Sequence, residues 1–427
     1  MTSEASGGNG REDAAPDRYI PVRKADVLRA LIDHGSIAGE QERQKFRQLC
    51  HVLGAIYHYQ FFAQLERLRD DYYYFNPEIE AAHVDPATLE SLHAELVDTL
   101  KAVLEEANFV PIAHAEVQHA HTEHHLMRVT IDIPTEDYRE VLFFRRGHHE
   151  ETVEISEWFG LRRRKATVTV YDNVAVLAMI KPDSELSEKQ RRRLARSNLR
   201  PGSILIKYFR NIARPDLDML FPQVRVVMSL FDKLKLGVPA IAGGIPILFN
   251  LLPTMTVLFV VTGFYLGFSG TIEEDDEKKA LAALSGLAAL GGFILQQWIR
   301  YQRQSLKYHK AISDNVYFRN LNNNAGIFDY LIGAAEERDV KEAFLAYYFL
   351  HTAALPLDKA GLEAIIEDWL HKTFAVAVEF DIDDAIIKLD GLGLLRRVDG
   401  RLTVAPPDEA LARLHCIWDD FFPRRDN

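Results

Sequence analysis

The sequence predicts an α+β chain in three parts: an N-terminal cytoplasmic α+β domain, a two-helix transmembrane hairpin and a C-terminal winged-helix-like domain. Three observations carry this. Helical spacing of apolar residues in the first hundred residues gives way to β-branched and aromatic runs. Two long stretches without charge then follow one another closely, and the chain closes on three helical patterns and an Asp-Gly hairpin. The boundaries that result are a disordered tail at 1–17, the α+β domain at 18–235, the hairpin at 236–300 with spans at about 245–268 and 280–299, connecting helices at 301–335 and the winged-helix-like domain at 336–427.

The 427 residues are 48% hydrophobic and 26% charged, which is a globular composition, and the formal net charge of -12 argues against a nucleic-acid coat. Cys50 and Cys416 are too few for a disulfide framework or a cysteine-built metal site. The mean hydropathy of -0.13 is that of a soluble chain, so any membrane character is local.

Residues 1–17 are polar and Gly-rich, which predicts disorder. No apolar run follows a basic start, and Glu4, Glu12, Asp13 and Asp17 are unlike an acid-poor mitochondrial transit peptide. The ordered part opens at RYIPVRKADVLRALI. After it, QERQKFRQLCHVLGAIYHYQFFAQLERLRDDYYYF reads as one amphipathic helix, with Leu49, Val52, Leu53, Ile56 and Phe61 on its apolar side. YREVLFFRR, KATVTVYDNVAVLAMI and SILIKYF read as strands.

Two features of this domain invite sharper readings. His119, His121 and His125 lie in a His-rich stretch, and the i, i+4 pair would share one helical face and suit zinc. The surrounding strand pattern and the absence of HExxH favour a solvated loop. Two basic runs, Arg162, Arg163, Arg164 and Lys165, and then Arg191, Arg192 and Arg193, have two readings: they solvate two turns, or on a domain close to a bilayer they engage anionic lipid headgroups at about 1 kcal/mol per residue.

From Leu236 to Ile272 there is no Asp, Glu, Lys or Arg, and a second such run covers Ala280 to Ile299. A span needs about 20 apolar residues, so the second run fits and the first has residues to spare. Pro239, Gly243, Gly244 and Pro246 mark an approach segment before the first span, and Pro253 predicts a kink within it. The acidic link Glu273–Lys279, flanked outside the hairpin by Lys233, Lys235, Arg300, Arg303 and Lys307, places both large regions in the cytoplasm by the positive-inside bias. Gly263 with Gly267, Ala282 with Gly286, and Ala288 with Gly292 are small residues four apart, a spacing that lets membrane helices approach closely, within the hairpin or between copies.

After the hairpin, Asn322, Asn323, Asn324 and Gly326 predict a helix end and a turn. RDVKEAFLAYYFLH, LDKAGLEAIIEDWLHKTF and DIDDAIIKLDGLG follow as helices, and LLRRV-DG-RLTV as a hairpin, which is a winged-helix order. A DNA-reading third helix needs basic residues. This one offers Asp381, Asp383, Asp384 and Asp390 against Lys388, so protein contact or internal packing is the expected use.

Four stretches, RYIPVRKADVL, LFFRRG at 142–147, YFRNIARPDLDMLFP at 208–222 and YFRNLNNNAGIFDYLIGAAEERDVKEAFLAYYFL at 317–350, together resemble domain-of-unknown-function family 3754, the transmembrane protein 143-like proteins. The resemblance implies a two-span membrane protein without an assigned activity, and it brings no catalytic residues. The chain also lacks GxGxxG after a strand, a Walker A lysine, a GxSxG elbow and any charge inside either span. The expected function is therefore a non-enzymatic, membrane-anchored scaffold without cofactor in a bacterial inner membrane. Its expected contacts are the lipid bilayer, protein partners and further copies of itself. The alternatives are an oligomeric channel or transporter and a membrane-bound enzyme with a His-rich metal site.

Overall fold

The computed structural model describes residues 18–79, 84–113, 115–117, 130–157, 162–227, 274–312 and 318–422, with 245, 249, 255, 258–264 and 266–267 in addition. The chain divides into two compact units. The larger gathers residues up to 118, 136–214 and 320 onward, and the smaller holds 119–135 and 215–319.

In the larger unit, α1 (Lys24–Asp33), α2 (Glu40–Tyr72) and α3 (Pro86–Glu106) come first. α2 runs unbroken for 33 residues, about 50 Å, and buries Phe46, Leu49, Leu53, Tyr57, Phe61, Leu65 and Leu68 at three- and four-residue spacing. Asp85 starts α3 by accepting the backbone N–H groups of Ala87 and Thr88, with Pro86 in the first turn where a missing N–H costs nothing.

The sheet is antiparallel in the order β1-β3-β4-β5-β7. Its strands are β1 (Val110–Pro111), β3 (Tyr138–Glu157), β4 (Arg162–Ile180), β5 (Ile204–Ala213) and β7 (Asn320–Asn323). β4 is central, and period-two alternation sorts its side chains between two cores. Ala175, Leu177 and Met179 join the large helical core, while Ala178 and Ile180 meet Tyr138, Leu186, Leu194 and Leu205 on the other face. Leu194 comes from α4 (Glu188–Arg196), which begins at a capping box between Ser187 and Gln190.

The last quarter of the chain packs onto the same core. α6 (Ile327–Thr352) contacts α1, α2, α3 and β5, and α7 (Lys359–Phe374) and α8 (Ile382–Gly391) lie against it. β8 (Leu395–Val398) and β9 (Arg401–Val404) form the hairpin expected at Asp399-Gly400, whose φ values of 50° and 79° are those of a two-residue primed turn. Leu357, ahead of α7, bridges to Leu402 on β9, and α9 (Pro407–Asp420) returns to α2.

The smaller unit contains the antiparallel pair β2 (Thr130–Asp132) and β6 (Arg225–Val227), and α5 (Glu274–Ile312). Within α5, Lys278–Arg303 is, among the described residues, the helix long and apolar enough to cross a membrane, and only 11% of its most apolar window is buried. The expected first span lies for the most part outside the described residues. Residues 258–264 are helical, with Phe259, Val260 and Phe264 exposed.

Candidate functional site

The densest chemistry lies where α6 meets α8. Arg338, Asp339 and Glu342 occupy one face of α6 by i, i+1, i+4 spacing, and Asp384 and Lys388 one face of α8 by i, i+4. Lys388 Nζ stands 2.5 Å from Asp339, 2.6 Å from Glu342 and 2.6 Å from Asp384. Arg338 bonds Glu342 at 2.8 Å and Asp384 at 2.7 Å, and reaches Asp381 at 3.4 Å. Glu342 is buried and Asp339 and Asp384 are half-buried, so these charges are held together by pairing rather than by water.

Burial pushes the carboxyls of Asp339 and Glu342 above their ordinary range, against the pull of Lys388 and Arg338. Burial also acts to raise Asp384, but there Lys388 and Arg338 prevail and its carboxyl falls below the ordinary value. Burial would lower Lys388, yet Glu342 and Asp339 outweigh it and the ammonium is held more firmly protonated. Oxygens of Asp339, Glu342 and Asp384 all lie within 4.8 Å of one another, a separation that suits a metal ion. The Lys388 ammonium contacts all three, so a cation belonging to the chain already fills that role.

The network backs a cleft of about 1030 Å³ walled by α2, the end of α3, α6 and α8. Of its 20 lining residues, seven are carboxylates and four are cations, so the wall is acidic. A strap at 18–23 runs past it: Arg18 bonds Asp381 at 2.8 Å, and Lys341 donates to the carbonyls of Ile20 at 2.8 Å and Val22 at 3.1 Å. Ile387 of α8 stands 69% exposed on the cleft wall, an apolar contact point among charges.

The residues singled out from the sequence fall elsewhere. His119, His121 and His125 lie outside the described residues. On β3, His149 bonds Asp172 of β4 at 2.7 Å. The two basic runs part company. Arg162, Arg163 and Arg164 stand on β4 at register positions opposite Glu157, Ser156 and Ile155, with side chains outside the described residues, and Lys165 is exposed opposite Glu154. Arg191 and Arg192 pair with Asp183 and Glu188, each at 2.9 Å, and Arg193 pairs with Glu136 and Asp137. On α5, Ala282, Ala288 and Gly292 are exposed and Gly286 is half-buried; Gly263 is half-buried and Gly267 exposed. The α6–α8 network escaped sequence reading although Arg338–Glu342 and Asp384–Lys388 are both visible as i, i+4 pairs. Periodicity does not reveal that the two faces meet.

No solved structure matches the chain. Residues 141–326 match the model of the family described as protein of unknown function, DUF3754. That segment, which runs from within β3 through α5 to the turn after β7, is where the chain is similar to the DUF3754 family.

Proposed function

We propose that this chain is an integral membrane protein whose larger unit is a cytoplasmic scaffold and whose acidic cleft receives a basic segment of a partner protein. One observation carries the membrane part: Lys278–Arg303 is apolar, yet 11% of its most apolar window is buried. A core helix of a soluble domain hides such a face, whereas lipid accepts it. Trp298 and Tyr301 stack with ring centres 6.1 Å apart at one end of the run, where an interfacial aromatic belt belongs. Together with the charge-free run ending at Ile272, this supports the two-span hairpin in a bacterial inner membrane, with the acidic link outside and both large regions in the cytoplasm.

The last quarter of the chain is read as a winged helix used for packing. Three helices, a hairpin and the Leu357–Leu402 bridge follow the winged-helix order, and α8 stands in the position of a recognition helix. Its charged residues Asp384 and Lys388 are engaged by α6, and the adjoining cleft is acidic, which disfavours phosphate and favours a basic protein segment.

Two measurements test the proposal. Cysteine labelling from outside spheroplasts is expected to reach a cysteine placed at Asp275 and not one at Arg303. Labelling of both, or release of the chain by alkaline carbonate, would overturn the membrane reading. A photo-crosslinker at Ile387 of the full chain is expected to capture a basic protein, and Asp383→Lys to abolish that capture. Capture that is unchanged in D383K removes the cleft as the docking surface.

A further inference from the structure

Beneath the strap lies a smaller cavity of about 30 Å³, lined by Tyr19, Asn108, Arg146, Glu337 and Lys341 among others. Its two principal cations come from different elements, Arg146 from β3 and Lys341 from α6, and are 9% and 4% exposed. The Arg146 guanidinium sits between two aromatic faces, 4.6 Å from the centre of the Tyr19 ring and 4.9 Å from that of Phe109. It donates to the Tyr208 hydroxyl at 3.3 Å and the Ala107 carbonyl at 3.5 Å. Among the described residues its enclosed Nε has no hydrogen-bond partner, and no carboxylate pairs with it.

Lys341 is similarly under-compensated. Two of its three ammonium protons go to the carbonyls of Ile20 and Val22, and the carboxylate of Glu337 lies 3.7 Å away. Glu337 is itself drawn to the backbone N–H of Lys24 at 3.1 Å. Arg338 also borders the cavity, but its charge is met by Glu342, Asp381 and Asp384. Two buried cations therefore face one carboxylate, which leaves one positive charge with little water to solvate it, a costly state for an interior. Burial brings the Lys341 ammonium down to about 8, with Glu337 opposing and Arg146 adding to the fall.

We propose that this cavity is a binding site for one small monovalent anion of chloride size, held between the Arg146 guanidinium and the Lys341 ammonium, which both line it. The charge left over is one, which selects a monovalent ion. The volume has room for about two water-sized particles, which admits a halide and excludes a phosphate ester. The two cations come from β3 and α6, and Lys341 also holds the carbonyls of Ile20 and Val22, so the anion ties the strap down, and through Arg18 and Asp381 it steadies the mouth of the acidic cleft.

The test uses the full chain in detergent, with sodium chloride or bromide replacing sodium gluconate at constant ionic strength. Thermal unfolding is expected to shift upward and saturate with either halide and not with gluconate. Amide exchange at residues 19–23 is expected to slow in step with that shift. Lys341→Met is expected to remove the saturable part of both responses. Because Arg146→Met can fail to fold, crystals of the unaltered chain grown in bromide give a second readout, an anomalous peak between Arg146 and Lys341. Equal responses to halide and gluconate, a halide response retained in K341M, or a cavity without a bromide peak would each overturn the proposal.

Discussion

α5 and α6 are both long helices rich in apolar residues, and they treat their charges in opposite ways. α6 carries Glu336, Glu337, Arg338, Asp339, Lys341 and Glu342 along its middle, yet it is the buried helix, with Lys341 and Glu342 enclosed. α5 has no charge from Ala280 to Ile299, yet Leu281, Leu284, Ile294, Leu295 and Trp298 stand more than half exposed. In water alone the arrangement is inverted, because the uncharged helix is the one that gains from burial. It is consistent on the membrane reading proposed above, in which α5 has hydrocarbon as its solvent and α6 has protein. A helix can bury charges where a partner helix supplies the counter-charge, as α8 does with Lys388. Lipid supplies none, so a helix facing it has to be free of them.

The sharpest way to break this comparison is to remove the counter-charge from α6. Lys388→Met leaves Asp339, Glu342 and Asp384 facing one another with Arg338 alone. It is expected to destabilise the larger unit by about 3–5 kcal/mol, the range for breaking a buried ion pair. Replacing the whole set, Arg338, Asp339, Glu342, Asp384 and Lys388, by apolar residues of similar size is expected to cost far less, because no buried charge is then left without its partner. Denaturation of the full chain in detergent measures both, and equal losses would mean that the network stabilises by packing rather than by charge.

On α5 the corresponding change is to add a charge. Leu295→Arg is expected to lower membrane integration by about 3 kcal/mol, from the insertion costs of Leu and Arg at a helix centre. Ala335→Arg on α6, at a fully buried position, is expected to unfold the larger unit and leave integration untouched. Carbonate extraction of the two variants separates the cases. Equal extraction would mean that α5 and α6 share one solvent.

What the sequence reveals follows the range of each interaction. The strands at YREVLFFRR and KATVTVYDNVAVLAMI, the long α2 and the Asp399-Gly400 turn rest on local propensity, and the structure has them where the residues predict. The asparagine run is a partial success. Asn324 at φ 52° and Gly326 do form the expected turn, but Asn320–Asn323 become β7, although Asn is a poor strand former. They do so because the edge of β5 offers hydrogen bonds, and Asn324 is fixed by Glu78 at 2.6 Å, 246 positions away in the chain. α6 starts at Ile327, directly after the turn at Asn324–Gly326 and ahead of the charged RDVKEAF segment that predicts its helix. The packing of α6 on α2, the meeting of Glu342 with Lys388 and the strap on Lys341 are long-range pairings, and no periodicity encodes them.

A pH series sharpens the same contrast within α6, because Lys341 and Lys388 are displaced in opposite directions. Lys341 falls from 10.5 to about 8 in the fold. Its charged form therefore costs stability below about pH 8, and that cost is relieved as the pH rises from about 8 towards 10.5. The unfolded chain still holds the proton in that window while the folded chain releases it, so stability rises there, by up to about 3 kcal/mol. Lys388 is raised, so its contribution is complete below 10.5 and is lost only at higher pH. In chloride-free medium the unaltered chain is expected to gain stability relative to Lys341→Met across this window. A constant difference between the two would show that Lys341 is not the buried charge described.

The smallest expected effect isolates backbone from packing in the β8–β9 hairpin. A Cβ added at Gly400 would meet nothing within 4 Å, so Gly400→Ala creates no clash, and its only penalty is the left-handed backbone at φ 79°. That penalty is about 1 kcal/mol. Asp399 already tolerates φ 50° as a non-glycine residue, which Asp does more readily than most because its short side chain can bond locally. Asp399→Gly is therefore expected to change stability by less than Gly400→Ala does, and both by less than any change in the α6–α8 network. The bridge between Leu357 and Leu402 ties β9 to the start of α7 with two hydrogen bonds, of 3.0 and 2.7 Å, so a strained turn is held by contacts outside the hairpin. A loss of several kcal/mol in G400A would mean instead that the turn itself positions β9, and that the bridge follows from it.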